Sequence, residues 1–345
     1  MEKVGPAILR EINRRKVLKL IRQNRPISRK EIVGLTKLGK NTISLIAEDL
    51  INENVIYEAY TENKKQAGRP TVALDFQADG MLILGIVLSA KIITGTVYNY
   101  GLSTVRHYEE PVQLKENLVD KLMNFIKNVL RDYPALFGVS IAIPGIVNSG
   151  KGVIEKSFQL KWENVNLKEM LDSFFEGKVF LCNTVKSVAL LQYEVALNKP
   201  ESAFFMNIDK GLGGAYIRKN KALYGKNGCA CEIGQMLVSI SDDQNDQTVE
   251  AFYNSIIGSY ECISKIKKED IERITNMIFK LIINLNYLFD PEKIFLYGST
   301  INHNLFKESL TAKKIPTNVS FCEQLDNNLA SAYALINDFE NGIEY

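Results

Sequence analysis

At 345 residues, 46% of them hydrophobic, with a formal net charge of +2, the chain suits a globular protein of two or three packed units. No run approaches the roughly 18 uninterrupted apolar residues of a membrane span, and the opening MEKVGPAILREINRRK lacks the apolar core of a signal peptide. A cytoplasmic protein that does not engage membrane is expected. Charge is spread unevenly: residues 1–72 hold 15 Lys+Arg against 8 Asp+Glu, while the rest holds 27 against 32. A basic end on a mildly acidic body suggests a nucleic-acid module joined to a domain with another task.

The first periodic stretch, AILREINRRKVLKLIRQN, places Ile8, Ile12, Leu18 and Ile21 near one helical face, with arginines and lysines on the other. ISRKEIVGLT then supplies Ser28 and Glu31 at capping-box spacing, so a second, short helix should begin at Ser28. After the turn KLGK, with Gly39 as a tolerable N-cap, NTISLIAEDLINENVI spaces Ile43, Ile46, Leu50 and Ile51 for a third helix. The alternating VIYEAYTE and the loop NKKQAGRP complete the pattern of a winged helix-turn-helix over residues 1–72. In that geometry Lys40, Asn41, Thr42 and Ser44 at the start of the third helix face bases and phosphates of double-stranded DNA. Arg29 and Lys30 suit backbone phosphates, and Lys64, Lys65 and Arg69 of the loop suit a neighbouring minor groove. A small helical protein-interaction module with solvated charges is the other reading of the same residues.

From residue 73 strands alternate with helices twice over, which predicts an α/β fold with two similar halves. MLILGIVLSAKIITGTVYNYG reads as strand and hairpin, KENLVDKLMNFIKNVLRDY as helix, and LFGVSIAIPGIV as a buried strand closed by Pro144 and Gly145. KVFLCNTVKSVALLQYEVAL is a strand running into a helix, and SAFFMNIDKGLGGAYIRKNKALYG a hairpin with a glycine-rich bend. DIERITNMIFKLIINLNYLFD is a long apolar helix suited to a core or to a subunit interface, KIFLYGS a short strand, and LDNNLASAYALINDFE a last helix. Five cysteines (Cys182, Cys229, Cys231, Cys262, Cys322) and two histidines form no CxxC pair, and read as buried reduced thiols.

Several segments in order carry a family resemblance: IAIPGIV, FQLKWENVNL, CNTVKSVAL, DKGLGGAYIRKNKALYGKNGCACEIGQM and IFLYGS, with GRP at 68–70. From about residue 81 onward they resemble the ROK family (repressors, open reading frames and kinases), and the head resembles that of ROK repressors of the xylose-repressor type. The resemblance implies an α/β, actin-like (ribonuclease H-like), two-lobed sugar-kinase fold over 73–345. Lobe 1 would cover about 78–182 with the terminal helix 325–345, and lobe 2 about 183–324. It also implies a sugar held in the cleft between the lobes by Gln159, Asn183, Glu232, Gln235 and Glu250, all amides or carboxylates able to read vicinal hydroxyls. Ordinary polar filling of a drifted pocket is the alternative.

The departures from the family pattern point away from catalysis. The family's acid is Thr184 here, and a hydroxyl cannot serve as the base that activates a sugar hydroxyl. The first phosphate loop has become VLSAKI, with Val87, Ser89 and Ala90 in place of its acid and glycines. The second keeps Gly211, Gly213 and Gly214 behind Asp209 and Lys210, and the adenosine-side glycines are reduced to Gly298. No catalytic residue is assigned, ATP is not expected to bind, and the surviving glycines serve tight turns. The family's zinc-binding histidine is Gln235 and SISDDQNDQTVEAF offers no cysteine, so no zinc is expected. The resemblance thus implies a sugar-responsive repressor of carbohydrate genes, acting on a DNA operator as a homodimer or dimer of dimers. An ATP-dependent sugar kinase and a ligand-independent dimeric DNA-binding protein are the rivals.

Overall fold

The computed structural model describes residues 5–61, 71–114, 116–209, 211–238 and 247–342. The chain divides into two compact units, Met1–Ile141 with Leu171–Phe180 and Ala332–Tyr345, and Ala142–Met170 with Leu181–Ser331.

The first unit begins with three helices, α1 (Pro6–Asn24), α2 (Arg29–Thr36) and α3 (Lys40–Asn52). Between α1 and α2 lies the two-residue β1 (Ile27–Ser28), which pairs with β3 (Thr71–Phe76); β3 also pairs with β2 (Ile56–Thr61), so the sheet order is β1-β3-β2. The boundary expected at residue 72 falls inside β3, whose residues belong with the head sheet. Val17, Leu18, Ile21, Ile32, Ile43, Ile46, Ala47, Leu50 and Leu74 close the small core. Ser28 caps α2 as its spacing predicts: its hydroxyl accepts from Glu31 N, and the Glu31 carboxylate accepts from Ser28 N at 2.8 Å. Such a box is worth about 1 kcal/mol. The Ser28 hydroxyl, with its N–H second, holds the Glu31 carboxyl below its usual range. Gly39 sits at the N-cap of α3.

The face expected for α1 needs correction at one end. Ile8 is 50% exposed, whereas Arg22 is buried. The reason lies in the helix α10 (Asn327–Asn341), whose residues from Ala332 onward belong to the same unit and pack on α1. Arg15 donates to Phe339 O at 2.8 Å with its guanidinium 4.2 Å from that ring's centre, and Lys19 Nζ donates to Asn341 Oδ1 at 2.9 Å. Arg22 grips the Glu340 carboxylate with two hydrogen bonds, 2.9 and 2.8 Å, and Tyr100 OH donates to the same carboxylate at 3.1 Å. Arg15, Lys19 and Arg22 follow the i, i+4, i+7 rule for one helix face. The basic side of α1 is therefore a packing surface.

After the head come β4 (Ile83–Leu88), β5 (Ile92–Tyr98) and β6 (Thr104–Pro111), an antiparallel meander, then α4 (Leu118–Asp132) and β7 (Gly138–Ile143). A small sheet of β8 (Ile146–Asn148), β9 (Val153–Ser157) and β10 (Trp162–Val165) and the helix α5 (Leu167–Asp172) precede β11 (Lys178–Asn183). The first large sheet has the order β11-β7-β4-β5-β6.

In the second unit α6 (Thr184–Val195) leads to β12 (Ser202–Ile208), β13 (Leu212–Arg218) and β14 (Lys221–Ala222), another antiparallel meander. The short pair β15 (Leu237–Val238) and β16 (Gln247–Thr248), then α7 (Val249–Ile257) and α8 (Lys268–Phe289), come before β17 (Lys293–Tyr297), α9 (Asn304–Thr311) and β18 (Asn318–Phe321). The second large sheet runs β14-β13-β12-β17-β18. Counting strands within each sheet, both have the order 5-4-1-2-3, the repetition the sequence predicts. Ile271, Ile274, Ile278, Leu281, Ile282 and Leu285 of α8 are buried against Phe204, Met206, Ile294 and Leu296. The long apolar stripe is core of this unit, while Tyr287 and Leu288 near the end of α8 are exposed.

Candidate functional site

In the second unit, β11 ends where α6 begins, and Asn183 sits at that junction. Its Oδ1 accepts from Lys186 N at 3.0 Å as the helix cap, while Nδ2 donates to Gly145 O at 2.7 Å and reaches Glu232 Oε1 at 3.4 Å. Three residues on, Lys186 turns inward. Its ammonium is 1% exposed and lies 2.9 Å from Glu232 Oε1 and 3.2 Å from Gly228 O. Gly228 can come this close because its φ is +77° and any Cβ there would stand 2.2 Å from Val147 O. Burial raises the Glu232 carboxyl above its ordinary range, Lys186 opposes that rise, and the Glu250 charge adds to it. Among the described residues Glu232 Oε2 has no hydrogen-bond partner, and so remains open to a hydroxyl donor.

A second cluster faces the glycine-rich bend. Gln235 Nε2 donates to Glu250 Oε2 at 3.1 Å, and Glu250 Oε1 accepts from Leu212 N at 3.4 Å. A Cβ at Gly211 would stand 2.6 Å from Glu250 Oε1 and 3.9 Å from Gln159 Nε2, so Gln159, Gln235 and Glu250 meet there. Glu250 is also raised by burial, with the Leu212 N–H opposing. The five expected hydroxyl readers thus form two groups, linked by the repulsion between Glu232 and Glu250. Gln159 is exposed at the rim, and Asn183 spends both ends of its amide on the chain itself.

Thr184 occupies the first turn of α6, and its hydroxyl oxygen is buried without a hydrogen-bond partner. A carboxylate at this place could draw on the helix N-terminus and a sugar hydroxyl; threonine offers no comparable base. The bend after β12, which matches the family's second phosphate loop, is tied instead to the turn after β17 through Ser299 Oγ, which donates to Asp209 Oδ1. Gly298, at φ +110°, lets that turn pass Ile208 O, which a Cβ would approach to 2.5 Å. Gly213 and Gly214 leave room only for Val185 and for Cys231 O with the Phe204 ring. In the first unit Ser89 closes the β4–β5 turn, its hydroxyl donating to Ile92 O at 3.0 Å and accepting from Ile92 N at 3.1 Å.

In the head, Lys40 and Asn41 are exposed at the start of α3, with Thr42 and Ser44 partly exposed. Lys30 is exposed on α2, but Arg29 is 2.7 Å from Glu58 and is committed to that ion pair. Lys64, Lys65 and Arg69 lie outside the described residues. Arg10 pairs with Asp49 and Arg14 with Glu53, so much of the basic charge of α1 is spent on α3. Among the described residues of the head, Lys30, Lys37 and Lys40 are the cations with neither ion pair nor side-chain hydrogen bond.

The sequence reading missed two residues. Lys186 carries a signal in retrospect, a lone charge on the otherwise uncharged TVKSVALL. Lys37 is the left-handed C-cap of α2, φ +60°, inside the turn KLGK, and nothing local distinguishes it from its neighbours. The cysteines also differ from expectation: Cys182 is buried, but Cys229 and Cys262 are exposed, because the glycine turns around 228 lift Cys229 off the core. Burial pushes the half-buried Cys231 thiol up to about 11.

Residues 85–249 match the family model described as the ROK family. The chain is 29% identical to the xylose repressor of Caldicellulosiruptor bescii over 246 residues, which cover 68% of this chain and 61% of that protein. It thus spans about three fifths of that relative. It is 28% identical to the xylose repressor of Staphylococcus xylosus over 320 residues, 84% of this chain and 83% of the other. Among solved structures, a ROK family transcriptional regulator homologous to the Escherichia coli MLC protein superposes with a TM-score of 0.77 at 19% identity, covering 96% of each chain. A ROK family glucokinase from Streptomyces griseus, in complex with glucose and AMPPNP, gives 0.58 at 15% identity over 74% of this chain and 98% of that one. Both likenesses establish an α/β fold shared with ROK sugar-kinase-like structures. No helix among the described residues is long and apolar enough to cross a membrane.

Proposed function

We propose, on the premise that the chain carries a ROK family domain, that it is a sequence-specific DNA-binding repressor of carbohydrate-utilisation genes. The head acts as a winged helix-turn-helix, and a sugar or sugar derivative is held by the second unit without being phosphorylated. The names of two relatives, both xylose repressors, support the role. The observation that carries it is a contrast: Glu232, Gln235 and Glu250, the candidate hydroxyl readers, are kept in a half-buried, hydrogen-bonded arrangement, while Thr184 at the start of α6 stands where a sugar kinase needs its acid. The Asp209–Ser299 bond bears on the nucleotide as well, because a carboxylate between the loops repels phosphate. On this reading neither ATP nor zinc is a cofactor; Gln235 is engaged with Glu250 rather than poised as a metal ligand.

Two-fold symmetric operators require two heads, so the working unit is a homodimer or a dimer of dimers. Sugar binding shifts the balance between conformations of the ROK domain, and this changes the fit of the paired heads to the operator.

Two assays test the proposal together. Duplexes retained from a random pool, with and without a panel of hexoses, pentoses and N-acetyl sugars, should yield one operator motif whose retention changes with one class of sugar. A coupled assay with ATP and the same sugars should give no turnover. Turnover that disappears on Glu232→Gln would replace the repressor reading with that of a kinase.

A further inference from the structure

The helix α3 has two faces of different chemistry. Ile43, Ile46, Ala47 and Leu50 are buried, and the opposite side carries Asn41, Leu45 and Glu48 at i, i+4, i+7. Leu45 is 61% exposed there. The described cations of the head without a partner lie along α2, at its C-cap and at the start of α3. Lys40 begins α3, Lys37 caps α2 immediately before it, and Lys30 lies seven residues, or two helical turns, back along α2. Every other described cation of the head, from Arg10 to Arg29, has a partner within the chain. Unpaired lysines thus precede the exposed Leu45 of α3, while the other exposed leucine of the helix pair, Leu35 (57%), lies on α2 between Lys30 and Lys37.

We propose that Leu45 is a specificity-determining residue that reads the 5-methyl group of a thymine in the major groove. The inference rests on the head's binding DNA and names what it reads. The thymine methyl is the one apolar group on the major-groove edge of the four base pairs, and apolar side chains recognise it by contact. The free lysines suit the phosphates on either side. Asn41, one turn earlier on the same face, has the amide that reads adenine N6 and N7 in a two-bond arrangement. Glu48 bounds the face at its far end, since a carboxylate there is repelled by phosphate.

The test uses the full chain and the duplex it selects from a random pool. Each thymine of the half-site is replaced in turn by deoxyuridine, which removes the methyl and leaves the hydrogen-bonding edge unchanged. At one position the wild-type protein should lose about three- to five-fold in affinity, as expected for one buried methyl. Leu45→Ala should bind the thymine duplex correspondingly more weakly and be indifferent to the replacement at that position. Leu288→Ala, at an exposed leucine in the second unit, should behave as wild type. Indifference of the wild-type protein to every replacement overturns the assignment of Leu45, as does an unchanged loss in Leu45→Ala. The thymine scan on wild type stands even if a variant fails to fold. Retention of no duplex by the wild-type protein overturns the DNA-binding reading itself, and this inference with it.

Discussion

A carboxylate that reads hydroxyls must be ionised, yet burial raises Glu232, and Lys186 is what opposes the rise. Lys186→Met leaves Glu232 buried without its cation, a change expected to cost about 3 kcal/mol, the low end for a broken buried pair because the Glu232 side chain is 18% exposed. The sign with pH follows from the raised carboxyl. Its stabilising protonation is complete below about 4.5, the ordinary value, and is lost as pH climbs through the elevated folded value. Removing Lys186 raises Glu232 further, so the stability deficit should be small near pH 5 and grow towards pH 8. Urea denaturation at several pH values measures it; a deficit that does not vary with pH would contradict the pairing. At this scale the sequence was informative where chemistry is local. Ser28, Glu31 and Gly39 were legible as caps, whereas Glu232, Gln235 and Glu250 were singled out only by the family resemblance. Lys186 was not, since its partner lies 46 positions away.

Elements were legible in order and type from their periodicity, but one helix face was not. The basic side of α1 looks solvated in sequence and is instead clamped to α10, because Arg22 finds its carboxylate 318 positions further on. The side chains are 4% and 0% exposed, so breaking the pair is costly while replacing both members with apolar groups is not. Arg22→Met should destabilise by about 3–5 kcal/mol. Arg22→Met with Glu340→Leu should recover most of that loss in thermal or urea denaturation. Equal instability of the single and double variants would show that α1 and α10 are held by something other than this clamp.

For the whole molecule, the presence of two similar halves was foreseeable from strands and helices recurring twice, but the 5-4-1-2-3 order within each was not. The small sheet β8–β10 was not legible either, since its strands are only three to five residues long and carry too little periodicity, although NSGKG at 148–152 marks the turn between the first two. Binding to the native state alone adds stability as the logarithm of ligand concentration, about 2.7 kcal/mol at a hundred times Kd. The sugar that alters operator retention should therefore raise the melting temperature without ATP present, and Glu250→Ala should abolish the shift. A shift that needs ATP would place nucleotide back in the pocket.

The clamp between α1 and α10 also bears on how the protein is made. Ribosomes add about 5–20 residues each second, and Arg22 precedes Glu340 by 318 residues, so the arginine leaves the ribosome tens of seconds before its carboxylate exists. Throughout that interval the head is a nascent domain with a basic flank still uncovered, open to nucleic acid and chaperones alike. Only the arrival of α10 converts that flank into interior.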